Sequence, residues 1–147
     1  MKRFVIAAVA ALLFSAGTVF AVGTVTTTTT NVRSGDSPLR TTYSLAWTST
    51  AGGAVSGNAV TIRPGKLLSV RFIPASGGTQ PTDLYDVTLV DSDGVDVLAG
   101  GGANLSNAAA SIQQWDPPMF HDGTRTLDLV IANAGASKTG TVVISVE

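Results

Sequence analysis

Apolar and polar residues alternate strictly in several stretches of this chain from residue 40 onward. In residues 40–48, Tyr43, Leu45 and Trp47 fall on one face, with Thr42, Ser44 and Ala46 opposite. A two-residue period of this kind marks a strand with one buried face. It recurs in 66–74, with Leu68, Val70 and Phe72 inward and Ser69 and Arg71 outward. It recurs again in 84–91 (Tyr85, Val87, Leu89), 126–132 (Leu127, Leu129, Ile131) and 141–146 (Val142, Ile144, Val146). Shorter runs at 59–63, 95–98 and 111–115 also read as strands. Between them lie turn signals: the Gly-rich 50–58, Pro64-Gly65, the Gly/Pro/Ser stretch 75–82, the hairpin dipeptide Asp93-Gly94, the small-residue stretch 100–110, Pro117-Pro118 and 133–140. The spacing predicts a flexible loop over 100–110 and a strand end at the two prolines. No segment after residue 21 has a helical period. Short strands at hairpin spacing predict an all-β fold, a single antiparallel β-sandwich of jelly-roll or immunoglobulin-like type over 40–147. Strand order does not follow from the pattern.

Two segments precede that domain. Residues 24–30, TVTTTTT, form a threonine tract. The branched Cβ of threonine favours extended backbone, so 22–39 is expected to be an extended arm or an edge strand. Residues 1–21 are patterned like a secretory signal peptide. Met1-Lys2-Arg3 is positive, 4–14 is unbroken apolar chain, and 15–21 ends in small residues with Val19 and Ala21 at the positions a signal peptidase inspects. The apolar run is shorter than the roughly 20 residues of a membrane-spanning helix, so no membrane span is expected in the mature chain.

Composition narrows the function classes. The chain of 147 residues holds nine Lys+Arg and ten Asp+Glu, a formal net charge of −1. Loss of Lys2 and Arg3 with the leader would leave −3. The remaining basic residues are scattered, which argues against nucleic acid as a partner, because phosphate binding needs clustered Lys and Arg. There is no cysteine, which excludes disulfides and thiolate metal sites. Charged residues are only 13%, about half the usual fraction. Hydroxyl-rich strands with few charges suit a surface covered in part by neighbouring subunits.

Candidate chemistry is sparse. Asp91, Asp93 and Asp96 surround Gly94 and are candidate calcium ligands, since calcium needs several hard oxygens on a tight loop. The spacing departs from an EF-hand, and the competing reading is a hairpin tip with solvated acids. Asp83 and Asp86 lie near in sequence. These carboxylates also raise glycoside hydrolysis, but a short sandwich with few aromatics offers no obvious cleft. His121 is the single histidine, followed by Asp122, and no G-x-S-x-G elbow accompanies it. It reads as a loop residue. Gly100-Gly101-Gly102 lacks the lysine and helix of a phosphate cradle. No catalytic residue and no cofactor are expected, calcium aside.

Tyr43, Trp47 and Tyr85 are in phase with the core. Trp115 differs, because 116–120 is Asp-Pro-Pro-Met-Phe. Trp115, Met119 and Phe120 in a proline-bent segment are the candidate partner contacts, set against a loop folded over an open end of the sandwich.

The stretches WTSTAGGAVSG, PTDLYDVTLVDSDGVDVLAG, GGANLSNAA and ANAGASKTGTVVI resemble small structural, decoration-like proteins of tailed phages, across most of 40–147. The resemblance implies a β-rich, non-enzymatic component of the particle, a head-decoration or tail-associated protein. Its partners would be further copies of itself and other virion proteins. It brings no catalytic residues. Such proteins assemble in the cytoplasm and need no export, so the leader-like 1–21 carries the alternative reading: an exported periplasmic or surface β-sandwich for binding or adhesion.

Overall fold

The computed structural model describes residues 22–34, 37–121 and 123–147. The signal-peptide reading of 1–21 and the Asp122 neighbour of His121 lie outside them. Among the described residues the chain is all-β, with one short 3-10 turn at Gly77–Thr79. No helix there is long and apolar enough to cross a membrane.

The strands are β1 (Thr24–Ser34), β2 (Ser37–Thr48), β3 (Ala59–Ile62), β4 (Gly65–Pro74), β5 (Asp86–Val90), β6 (Ser111–His121), β7 (Arg125–Ala132) and β8 (Thr139–Val146). They form two antiparallel sheets, one in the order β1-β2-β8-β4-β6 and one in the order β3-β7-β5. The pairing is nested. β2 pairs with β8, β3 with β7 and β4 with β6. Past β5 the chain turns at 91–94 and comes back alongside it, through the bridges Val90↔Asp96 and Tyr85↔Leu105. The chain from β2 onward is thus one long antiparallel ribbon with its tip at 91–94. Successive rungs fall alternately into the two sheets.

The inward residues of both sheets belong to one apolar cluster. Leu45, Phe72, Val142 and Ile144 come from the five-stranded sheet, and Leu89, Leu127, Leu129 and Ile131 from the three-stranded one. Each fully buried side chain of this size contributes roughly 1.5–3 kcal/mol. Polar side chains tie the ends of the strands. Arg63, just past β3, donates from Nε to Thr41 Oγ1 at 2.7 Å and from Nη2 to the Val146 carbonyl at 3.2 Å, while its backbone N–H donates to Tyr43 Oη at 2.9 Å. It therefore fastens the second sheet to the first. Ser49 Oγ donates to Gly135 O at 2.7 Å and accepts from Lys138 N at 2.8 Å.

The chain departs from its alternation pattern at four places. In β4 the buried residue is Leu67, not Leu68, because the ladder slips between Leu67 and Ser69. A bulge reverses the facing of what precedes it. Residues 95–98 form no strand. Only Asp96 bridges, and the chain then turns through 98–102. β6 does not stop at the prolines. Pairing with β4 breaks after Gln114 and resumes at Met119, so residues 115–118 stand opposite Leu68 alone. An edge strand tolerates proline because its outer side owes no hydrogen bonds. Nor is 100–110 a free loop: Val87 N donates to Gly102 O at 2.8 Å, Leu105 N to Tyr85 O at 2.8 Å, and Leu98 and Leu105 are buried.

Candidate functional site

A uniform polar surface lies on the outward side of β1, β2 and β8. Directly opposed residues of antiparallel strands point to the same face. Thr24, Thr26, Thr28 and Thr30 of β1 stand beside Thr48, Ala46, Ser44 and Thr42 of β2. These in turn stand beside Thr139, Thr141, Val143 and Ser145 of β8. The inward alternates Tyr43, Leu45, Trp47, Val142 and Ile144 are buried, which fixes the hydroxyl rows outward. Only Ala46 and Val143 interrupt the hydroxyls, and no ionisable side chain falls among these rows. One end of this face holds an open groove of about 410 Å³, lined by Thr24, Thr26, Thr48 and Thr141 with Ile73 and Pro74. Such a surface offers short neutral donors and acceptors at a regular spacing, with no ionisable group among them.

The acidic turn is occupied by its own backbone. Asp91 Oδ1 accepts from Val95 N at 2.9 Å and Asp93 N at 3.0 Å, and its Oδ2 faces Arg125 Nη1 at 3.4 Å. Asp96 Oδ1 accepts from Leu98 N at 3.1 Å and Leu89 N at 3.2 Å, and Oδ2 accepts from Gly100 N at 3.0 Å. Asp93 is exposed at the tip. Asp86 accepts from Asn104 N and Asn133 Nδ2, both at 2.8 Å, and Asp83 from Asn107 N at 3.2 Å. Among the described residues no group of three or more acidic or histidine side chains converges as a metal site would require. The carboxylates act as caps for turn N–H groups, which explains why so many cluster here. A polar groove of about 290 Å³ beside this turn is lined by Asp91, Ser92, Asp93 and 123–126.

The three aromatic and thioether candidates do not share one surface. Trp115 is half-buried and packs on the core cluster. Met119 opposes Leu67, which is buried, so it lies on the core side of the sheet. Phe120 opposes Lys66 on the other side, 71% exposed, with Lys66 Nζ 5.4 Å from its ring centroid. His121 is a strand residue rather than a loop residue. It is buried, its Nδ1 donates to Gly123 O at 2.9 Å, and its Nε2 has no hydrogen-bond partner among the described residues. The hydroxyl face itself escaped the sequence reading. Its signal was present in the outward residues of 24–30, 42–48 and 139–145, but their alignment depends on which strands are neighbours.

No protein-family model, no curated protein and no solved structure matches the chain.

Proposed function

We propose that the chain is a non-enzymatic structural component of a phage particle, a head-decoration or tail-associated protein, that packs against its neighbours through a jelly-roll β-sandwich. The nested pairing of β2 with β8, β3 with β7, β4 with β6 and β5 with 96–105 supports the jelly roll over the immunoglobulin-like alternative. A hairpin ribbon rolled into two sheets is the architecture of many viral capsid and lectin domains. Architecture alone assigns no function, so the reading rests on the surface. The uncharged hydroxyl face of β1, β2 and β8 is the observation that carries it. A neutral face of this breadth meets a neighbour without the desolvation cost of buried charge. The resemblance of 40–147 to small phage structural proteins points the same way.

The leader-like 1–21 favours a second reading, an exported binding or adhesion domain of the same fold. Mass spectrometry of the native N-terminus separates the two. The particle reading expects purified particles to contain chains that begin at Met1. Chains beginning at Val22, recovered outside the cytoplasm and absent from particles, would overturn it in favour of export.

A further inference from the structure

Every strand edge among the described residues is closed or blunted except one. The outer edge of β5 is covered by 96–105. β3 is only four residues long. β6 carries Asp116, Pro117 and Pro118 where its pairing with β4 breaks. Short edges, prolines and bulges are the devices that stop a sheet from growing. β1 has none of them over most of its length. Its eleven residues pair with β2 in unbroken register from Thr24 to Val32, with a shift only at Val32/Arg33. There is no proline or charge from Thr24 to Val32. β1 also lies beyond the span of the second sheet. Thr27 and Thr29 oppose the buried Leu45 and Tyr43, yet both are exposed, as are Thr26, Thr28 and Thr30 on the other face. Val25, at the start of the strand, packs against the core cluster; from Thr26 to Val32 both faces are exposed, and nothing among the described residues pairs with the outer edge.

We propose that β1 is a dimerisation strand that pairs antiparallel with β1 of a second copy of this chain, about a two-fold axis through Thr28. The occupant is a second copy because the strand complements itself. In a same-face antiparallel register centred on Thr28, Thr26 of one copy faces Thr30 of the other, Thr27 faces Thr29, and Thr24 faces Val32. No charge meets a like charge, and Arg33 falls beyond the paired run. Opposed threonines on neighbouring strands are favourable pairs, and β-branched residues suit the extended backbone. The arrangement is isologous, so it closes at two copies. The blunted β6 edge keeps the joined sheet from extending further. The hydroxyl rows of the two copies then form one continuous face. The pairing deepens the assembly reading above, but it is tested on oligomeric state rather than on the N-terminus.

The test uses the full-length chain and two double variants, Thr26→Lys/Thr30→Lys and Thr26→Glu/Thr30→Glu. In the proposed register each variant places two like-charged pairs across its own interface. Sedimentation velocity at low salt should give a mass twice 14.9 kDa for the native chain. Each variant alone should dissociate at concentrations about tenfold higher than the native dimer. An equimolar mixture of the two should recover the dimer, which also shows that both variants are folded. Salt should weaken the difference, because these charges are exposed. A native chain that stays monomeric at its highest soluble concentration overturns the proposal. So does a dimer that both variants keep unchanged.

Discussion

The indole of Trp47 lies against the α-carbon of Gly140, its partner across the β2–β8 ladder: a Cβ on Gly140 would stand 2.6 Å from Trp47 Cζ2 and 3.0 Å from the Ile73 carbonyl oxygen. The ring continues inward to Tyr85, with centroids 5.9 Å apart and planes tilted by 44°. Trp47 is therefore held from both sides, by a missing side chain and by an aromatic. Gly140→Ala should destabilise the fold by about 1–3 kcal/mol, the usual cost of overpacking. Urea unfolding followed by tryptophan fluorescence reads it directly. Trp47→Phe should cost less in the Gly140→Ala background than in the native chain, because the smaller ring vacates the space the methyl needs.

Asp96 holds three backbone N–H groups from two segments, Leu89 on one side and Leu98 and Gly100 on the other. Removing the carboxylate leaves those donors without their acceptor. Asp96→Ala should cost about 2–3 kcal/mol, the range for hydrogen bonds to a charged group. Asp93→Ala at the exposed tip should stay within about 0.5 kcal/mol. Because the Asp91 and Asp96 oxygens are already engaged, the melting temperature should not move when calcium is added or EDTA removes it. A rise of several degrees with calcium would show that the turn rearranges to bind it.

The same residues show how far the sequence could be read. Alternation located β2, β5, β7 and β8, because each buries one face and the period is local. It misplaced Leu68, because a bulge is a tertiary adjustment to the insertion of 115–118 opposite it. It took 95–98 for a strand, because nothing local reveals that the Asp96 carboxylate will bond the backbone that a strand would have used. It stopped β6 at the prolines, because proline forbids a central strand but not an edge, and edges are known only once strand order is known. It saw the threonines of 24–30 but not the face they form. That face needs β2 beside β1 and β8 beside β2, a pairing between residues about a hundred positions apart. Trp115, Met119 and Phe120 lie close in sequence yet divide between the two sides of the sheet.

Gly102 shows the same dependence on distant contacts. A Cβ there would run into the Val87 carbonyl oxygen and approach Leu98 Cδ1 at 3.1 Å. The close approach lets 96–105 lie along β5 and close its edge. Gly102→Ala should force the segment away, weakening the Val87 N–H to Gly102 O hydrogen bond and the burial of Leu98. The expected loss is about 3 kcal/mol, with faster hydrogen exchange at Val87 and aggregation on heating as the β5 edge opens. Gly101→Ala is the control. There the Cβ meets the end of the Gln113 side chain, which can swing aside, and the Leu98 carbonyl oxygen at 3.1 Å, which needs to give by only a few tenths of an ångström, so the cost should be about 1 kcal/mol and well below that of Gly102→Ala.

Burial raises the pKa of the Tyr85 hydroxyl from its ordinary 10.0 to about 12. Tyr85 sits beneath Trp47 and is almost wholly inaccessible, and desolvation penalises the phenolate. The sign of the resulting pH dependence follows from which state holds the proton. Below pH 10 both the folded and the unfolded chain keep it, and Tyr85 gives no slope. Between pH 10 and 12 the unfolded chain releases the proton while the folded chain retains it, so stability falls as pH rises. The slope from this one group cannot exceed about 1.4 kcal/mol per pH unit. Denaturant unfolding from pH 9 to 12 should show the fall in the native chain. Tyr85→Phe should flatten that part of the curve, leaving only the loss common to the other alkaline groups. A variant with the native slope would mean that the Tyr85 phenolate is solvated in the folded protein, and that the packing of Trp47 over it is looser than the 5.9 Å contact indicates.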